Sequence, residues 1–164
     1  MSALETVISN ALQLEQVARQ YSKSRFAFLP GLLNPDHAKR LLVTTQPVSA
    51  MRVNCRGQAT WDEQRFDSSH PVYQFFKHDE LVALVRILTS RKRIKQLRCW
   101  TSGYKVGEFI NPHCDKSGSL QLLVCLQAPS SPSSGGKLVV TGTELAFTAG
   151  DAVVFEATTL EHYT

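Results

Sequence analysis

The sequence predicts an α+β protein in which a mainly helical first half, 1–97, supports an all-β second half, 98–164. Apolar residues recur at helical spacing through much of the first half. From Arg98 onward, short apolar or alternating runs follow one another between Gly, Ser, Pro and Asp. The length of 164 residues suits a single domain over 1–164, so any active site is built within one fold.

Ser2 followed by Glu5 forms a capping box. Leu4, Val7, Ile8, Ala11, Leu14, Val17, Ala18 and Tyr21 then mark an amphipathic opening helix. After the apolar stretch RFAFLPGLL, Asn34 caps a second helix with Pro35 at its first position, running through HAKRLLVTT. Met51 to His70 mixes Arg, Gly, Asn and Asp without period. PVYQFFKHDELVALVRILTSRKRIKQL then reads as one long helix with a basic cluster at its end. The β half is read from RCWTSGY, EFINPH, LQLLVCLQ, KLVVTGTE, LAFT and DAVVFEA. PSSPSSGG between two of these runs is an exposed loop.

A composition of 43% hydrophobic and 20% charged residues is that of a globular protein and excludes general disorder. The net charge of +4 reflects 18 basic against 14 acidic residues, and RKRIKQLR, Arg91 to Arg98, supplies five of the basic ones. At an exposed helix end such a cluster solvates the helix and offsets its dipole. Nucleic acid is not the expected partner. Cys55, Cys99, Cys114 and Cys125 form no CxxC pair, which argues against structural zinc and against a disulfide framework. A reducing, cytoplasmic location is expected. The N-terminal segment carries Glu5 and Glu15 without a cleavable apolar core, and no apolar run is long enough to span a bilayer.

NPHCDKSG, Asn111 to Gly118, holds the chemistry. On a strand, residues two apart share a face, so His113 and Asp115 project together while Cys114 points away. The pair can share one metal ion. A His-x-Asp alone is weak evidence, but an ordered series surrounds it. Tyr104-Lys-Val-Gly107 precedes it, and LQLLVCLQ, Gly135-Gly-Lys-Leu138 and Gly150-Asp151-Ala-Val-Val-Phe155 follow, before His162.

That series resembles the catalytic core of the Fe(II)- and 2-oxoglutarate-dependent oxygenases, most closely the prolyl-4-hydroxylase-like branch. The resemblance covers the last two-fifths of the chain. It implies a double-stranded β-helix (jelly-roll, cupin-like) core with the N-terminal helices packed on it, and His113, Asp115 and His162 as metal ligands. Two neutral imidazoles and one carboxylate hold Fe(II) and leave adjacent positions open for a chelating cosubstrate and O2. The implied cofactors are Fe(II), the cosubstrate 2-oxoglutarate and O2, with ascorbate as a further candidate. The implied reaction hydroxylates an unactivated C–H bond of a protein residue or of a small amino-acid-like substrate, releasing succinate and CO2. A carboxylate at Asp115 disfavours halide chemistry. Tyr104 matches a position that hydrogen-bonds the cosubstrate in the family. Cys125 reads equally well as a small buried hydrophobe, and His37, His70 and His78 as caps and surface groups. Arg52, Arg56 and Arg65 read as solvated loop charges.

In the family a strand beyond the second histidine carries an Arg or Lys that pairs with the distal carboxylate of 2-oxoglutarate, whereas this sequence stops at Thr164. A further segment is expected, because a terminus so close to a metal ligand would fray. The alternatives are that Lys105, Lys137 or Arg98 substitutes, or that metal binds without turnover. Two rival functions stand beside the hydroxylase: a non-catalytic cupin-like metal-binding module, and an oxygenase acting on nucleic acid along RKRIKQLR.

Overall fold

The computed structural model describes residues 11–45, 50–95, 98–129 and 136–164. The capping box at Ser2 and Glu5 and most of the PSSPSSGG stretch lie outside them. Four helices and nine strands are present among the described residues. The helices are α1 (Ala11–Ser24), α2 (Pro35–Thr44), α3 (Pro71–Lys77) and α4 (Asp79–Thr89). The strands are β1 (Phe26–Leu29), β2 (Met51–Cys55), β3 (Ala59–Arg65), β4 (Trp100–Gly103), β5 (Gln121–Val124), β6 (Leu138–Val140), β7 (Thr143–Leu145), β8 (Ala152–Phe155) and β9 (His162–Tyr163).

The strands form three antiparallel sheets, ordered β1-β8-β5, β2-β3-β4 and β7-β6-β9. β8 is the keystone, because all four of its residues are completely buried. Its two faces bury different things. Ala152 and Val154 pack with Tyr21, Leu81, Leu84 and Leu88 of α1 and α4. Val153 and Phe155 pack with Leu138, Val140 and Leu145 of β6 and β7. One continuous apolar run thus serves a helical layer on one side and a second sheet on the other, as expected of a strand buried on both faces.

The turn into β8 is equally specific. Gly150 has φ +98°, and a Cβ there would lie 2.1 Å from the Leu33 carbonyl oxygen. Asp151, itself buried, accepts hydrogen bonds from Gly31 N, Thr148 N and the Thr148 hydroxyl, each at 2.7 Å. The Gly-Asp motif therefore ties the turn after β1 to the start of β8.

The cap on α2 is as the sequence predicts, with the Asn34 side chain accepting from His37 N and Pro35 at the first position. Three expectations are corrected. EFINPH forms no strand, since Ile110 and His113 make only isolated bridges, to Ala59 and His162. The 1–97 half is not mainly helical throughout, because β2 and β3 make a hairpin where Met51 to His70 showed no period. Its outer strand is mostly exposed, so no apolar alternation was required of it. The long helix after Pro71 is two. His78, at φ −59° and ψ 133°, breaks the run, and α4 restarts with Asp79 and Glu80 in its first turn. α4 then ends at Thr89, with Ser90 left-handed at φ 54°. The basic cluster lies beyond the helix and cannot be its solvated last turn.

Candidate metal centre

His113 and His162 are brought together by the backbone. Each donates its N–H to the other's carbonyl, at 3.1 and 2.9 Å, as an antiparallel bridge. The same pairing continues between Ile110 and Thr164, while Asn111 N donates to Gln58 O and Thr60 N to Phe109 O. The stretch 109–113 is thereby stitched between the β2–β3 hairpin and β9. Asp115 is fixed by its own N–H, which donates to Ala157 O at 2.8 Å.

The side chains then converge. The His113 and His162 Nε2 atoms lie 3.7 and 3.9 Å from Asp115 Oδ1. One ligand atom from each of the three residues lies within 4.8 Å of the others, a spacing that could hold a metal ion. Both imidazoles are oriented from behind: His113 Nδ1 is 2.8 Å from Asn111 O and His162 Nδ1 is 3.0 Å from Leu160 O. A carbonyl can only accept, so each Nδ1 carries the proton and each Nε2 presents a lone pair toward the centre. His162 is buried, and its ring packs edge-on against Phe155, with ring centroids 4.9 Å apart. Burial is the main cause holding its pKa below the ordinary value, with His113 adding to the effect. His162 is neutral at pH 7, the form that ligates.

A second group of side chains, which the sequence did not announce, supports the centre. Tyr21 donates to Glu156 Oε1 at 2.5 Å, and Arg91 Nη2 donates to both Glu156 oxygens at 2.8 and 2.6 Å. Glu156 begins the turn whose Ala157 and Leu160 carbonyls hold Asp115 and His162, and its own carbonyl accepts from Thr159 N and Leu160 N. Its only sequence signal is an acid at the end of the apolar run AVVF.

The centre opens onto a cleft of about 2170 Å³. Tyr104 lines it, half-buried, and burial chiefly raises its pKa, so the phenol stays protonated. Trp61 Nε1, Gln64 Oε1 and Gln121 Oε1 also belong to cleft-lining residues, and each is a buried polar atom without a hydrogen-bond partner. Cys125 lines the cleft too, but burial pushes its thiol up to about 11, so it is neither thiolate nor a ready ligand at neutral pH.

The other singled-out residues lie apart from the centre. His70 caps α3 through Val72 N, His78 occupies the cap position of α4 without a side-chain bond, and His37 packs against Phe75. Arg52 pairs with Asp62 and Glu108, and Arg65 with Glu63. Of the basic residues considered for a carboxylate contact, Lys105 pairs with Asp62 and Lys137 with Glu144. Among the described residues, Arg98 hydrogen-bonds to the neutral Ser117, at Oγ and the carbonyl.

Comparison with solved structures gives the fold its company. A prolyl-4-hydroxylase from Pseudomonas putida superposes with a TM-score of 0.76 at 17% identity, over 92% of this chain and 90% of that one. The chain has the fold of the 2OG-Fe(II) oxygenases. An oxidoreductase of that family from Burkholderia pseudomallei follows at 0.74 and 15% identity, over 94% and 84% of the two chains. The non-heme alpha-ketoglutarate-dependent epimerase SnoN from nogalamycin biosynthesis matches at 0.66 and 15%, over 94% and 75%. No protein-family model matches the sequence, and no curated protein matches it. The resemblance read from the motifs, including its prolyl-4-hydroxylase-like branch, therefore holds in the fold. No helix among the described residues is long and apolar enough to cross a membrane.

Proposed function

We propose that this chain, acting over 1–164 as one domain, is an Fe(II)- and 2-oxoglutarate-dependent dioxygenase that hydroxylates an unactivated C–H bond of a protein residue or a small amino-acid-like substrate. The observation that carries the reading is the convergence of His113, Asp115 and His162 at the base of a cleft, with both histidine tautomers set by backbone carbonyls. The β1-β8-β5 and β7-β6-β9 sheets facing each other across Phe155 support a double-stranded β-helix core.

The donor set fits Fe(II). Two nitrogens and one carboxylate oxygen on one side leave the cleft side open for a chelating cosubstrate. When bound, Fe(II) with 2-oxoglutarate and O2 supplies the oxidant for hydroxylation, with succinate and CO2 released. The protein's own part is positioning. The backbone bridge fixes both histidines, Ala157 O fixes Asp115, and Phe155 keeps water from one side of the His162 ring. Tyr104, held protonated on the cleft wall, is a donor for a cosubstrate oxygen. The unpartnered Trp61, Gln64 and Gln121 atoms are further groups that a polar ligand would satisfy. Four free cysteines support a cytoplasmic location.

The test is an anaerobic titration with Fe(II) and then 2-oxoglutarate, followed by succinate release in air with ascorbate present. A visible charge-transfer band is expected, and His162→Ala should weaken metal uptake by more than about a hundredfold. Metal uptake without a band or succinate would instead identify a non-catalytic metal-binding module.

A further inference from the structure

The basic segment after α4 gains a new place in the structure. The helix stops at Thr89 and Ser90 turns left-handed, and beyond it Arg91, Arg93, Ile94, Lys95 and Arg98 line the cleft. The segment is fastened there by hydrogen bonds from Arg91 and Arg98 to the loop that follows Asp115. Arg98 Nη2 donates to Ser117 Oγ at 2.6 Å, and Arg91 Nη1 donates to Ser119 Oγ at 2.9 Å. Ser117 is two residues beyond Asp115. Arg93, Lys95, Arg98 and Lys116 all line the cleft and are exposed. Among the described residues none of these four has an acid within 4.0 Å, although Arg91 itself is spent on Glu156.

The hairpin side differs. Asp62, Glu63 and Glu108 of the hairpin side line the same cleft, and each is matched by Arg52, Lys105 or Arg65. Among the described lining residues, unbalanced positive charge is thus confined to this group, which includes Lys116 beside Asp115, while the hairpin's charges balance one another. A nucleic-acid strand carries charge at every step and needs cations along its whole path. A polypeptide can concentrate its charge in a few residues and leave the rest neutral.

We infer that this rim of Arg93, Lys95, Arg98 and Lys116 docks an acidic segment of a protein substrate, flanking the residue presented to the metal centre. The inference rests on the oxygenase reading for what happens to that residue, while the docking itself needs no metal. Exposed charges facing a cleft steer association and are screened by salt, so binding should weaken as ionic strength rises.

The experiment is fluorescence anisotropy of the whole chain with a labelled peptide carrying a run of glutamates, its glutamine counterpart, and a single-stranded oligonucleotide of equal charge. The glutamate peptide should bind at low salt and the glutamine peptide should not. Arg93→Gln with Lys95→Gln should weaken it about fivefold. Lys39→Gln with Arg40→Gln, equally exposed on α2, should leave it unchanged. Equal binding of both peptides, an equal loss from the α2 variant, or tighter oligonucleotide binding through the same rim would each overturn the inference. His162→Ala separates the two readings. Peptide binding should survive in it while metal uptake falls; a wild type that takes up metal and forms the cosubstrate band but ignores the glutamate peptide sinks the rim alone.

Discussion

β8 and the β2–β3 hairpin both border the candidate metal centre, and they are held by different means. Every residue of β8 is shut away from solvent, between helices on one face and a sheet on the other. At about 1.5–3 kcal/mol for each large side chain fully buried, this strand is anchored by the hydrophobic effect. The hairpin has Met51, Arg52, Asn54 and Cys55 in solvent; beside its backbone bonds to β4 and to the 109–111 stretch, it is tied by ion pairs, Arg52 with Asp62 and Glu108, and Lys105 with Asp62. Such exposed pairs contribute little and respond to salt. The lesson is a division of labour. The His162 ring leans on the dry strand through Phe155, whereas the hairpin forms a polar wall of the cleft.

Breaking the dry side should have the largest effects. Phe155→Ala removes the ring behind His162 and leaves a cavity in the core, so a loss of about 3–5 kcal/mol is expected in urea unfolding, together with weaker metal uptake. Gly150→Ala should cost roughly 3 kcal/mol, because the added Cβ meets the Leu33 carbonyl and the backbone is left-handed there. A near-native unfolding midpoint for that variant would show that the turn into β8 yields, and the contrast with the hairpin would weaken.

The third prediction concerns the bond between the two layers. Burial alone would raise the Glu156 pKa, but the hydrogen bonds and charge from Arg91 and Tyr21 outweigh it and hold the carboxyl below its ordinary 4.5. Its stabilising contribution is therefore complete above the unfolded value near 4.5 and fades as pH falls through the lower folded value. Glu156→Gln should lose about 1–3 kcal/mol at pH 7, and the gap to wild type should close on acidification. A gap that stays constant down to low pH would remove the charged network from the explanation. The smallest effect is expected on the wet side. Arg52→Ala should leave the unfolding midpoint near wild type, and added salt should erase what difference there is.

The legible part of the site was local. His113 and Asp115 stood out as a pair two positions apart, although the structure gives His113 only an isolated bridge and Asp115 no strand, and Asn34 with Pro35 marked a helix start because a cap needs only a few neighbouring residues. The hairpin was illegible for the opposite reason. With its outer strand in solvent and its inner strand facing an open, partly polar cleft, it obeys no apolar alternation that a sequence could display. The break at His78 was equally hidden, since VYQFF and LVALV each keep helical spacing and only their separate packing tells them apart. Phe75 and Phe76 reach two core clusters, while Leu81, Leu84 and Leu88 turn to β8.

The sequence by itself determined which residue types could meet: a His-x-Asp pair, a later histidine, and a Gly-Asp turn feeding a strand apolar enough to be buried on both faces. Only the tertiary structure decided that His113 and His162 bond to each other's backbone, that Glu156 carries the turn beneath them, and that the basic segment lies along the cleft. The physical reason is range. Caps, alternation and turns are fixed by neighbours in the chain, whereas a metal centre and its charged rim are assembled by contacts between distant segments, whose partners no local pattern names.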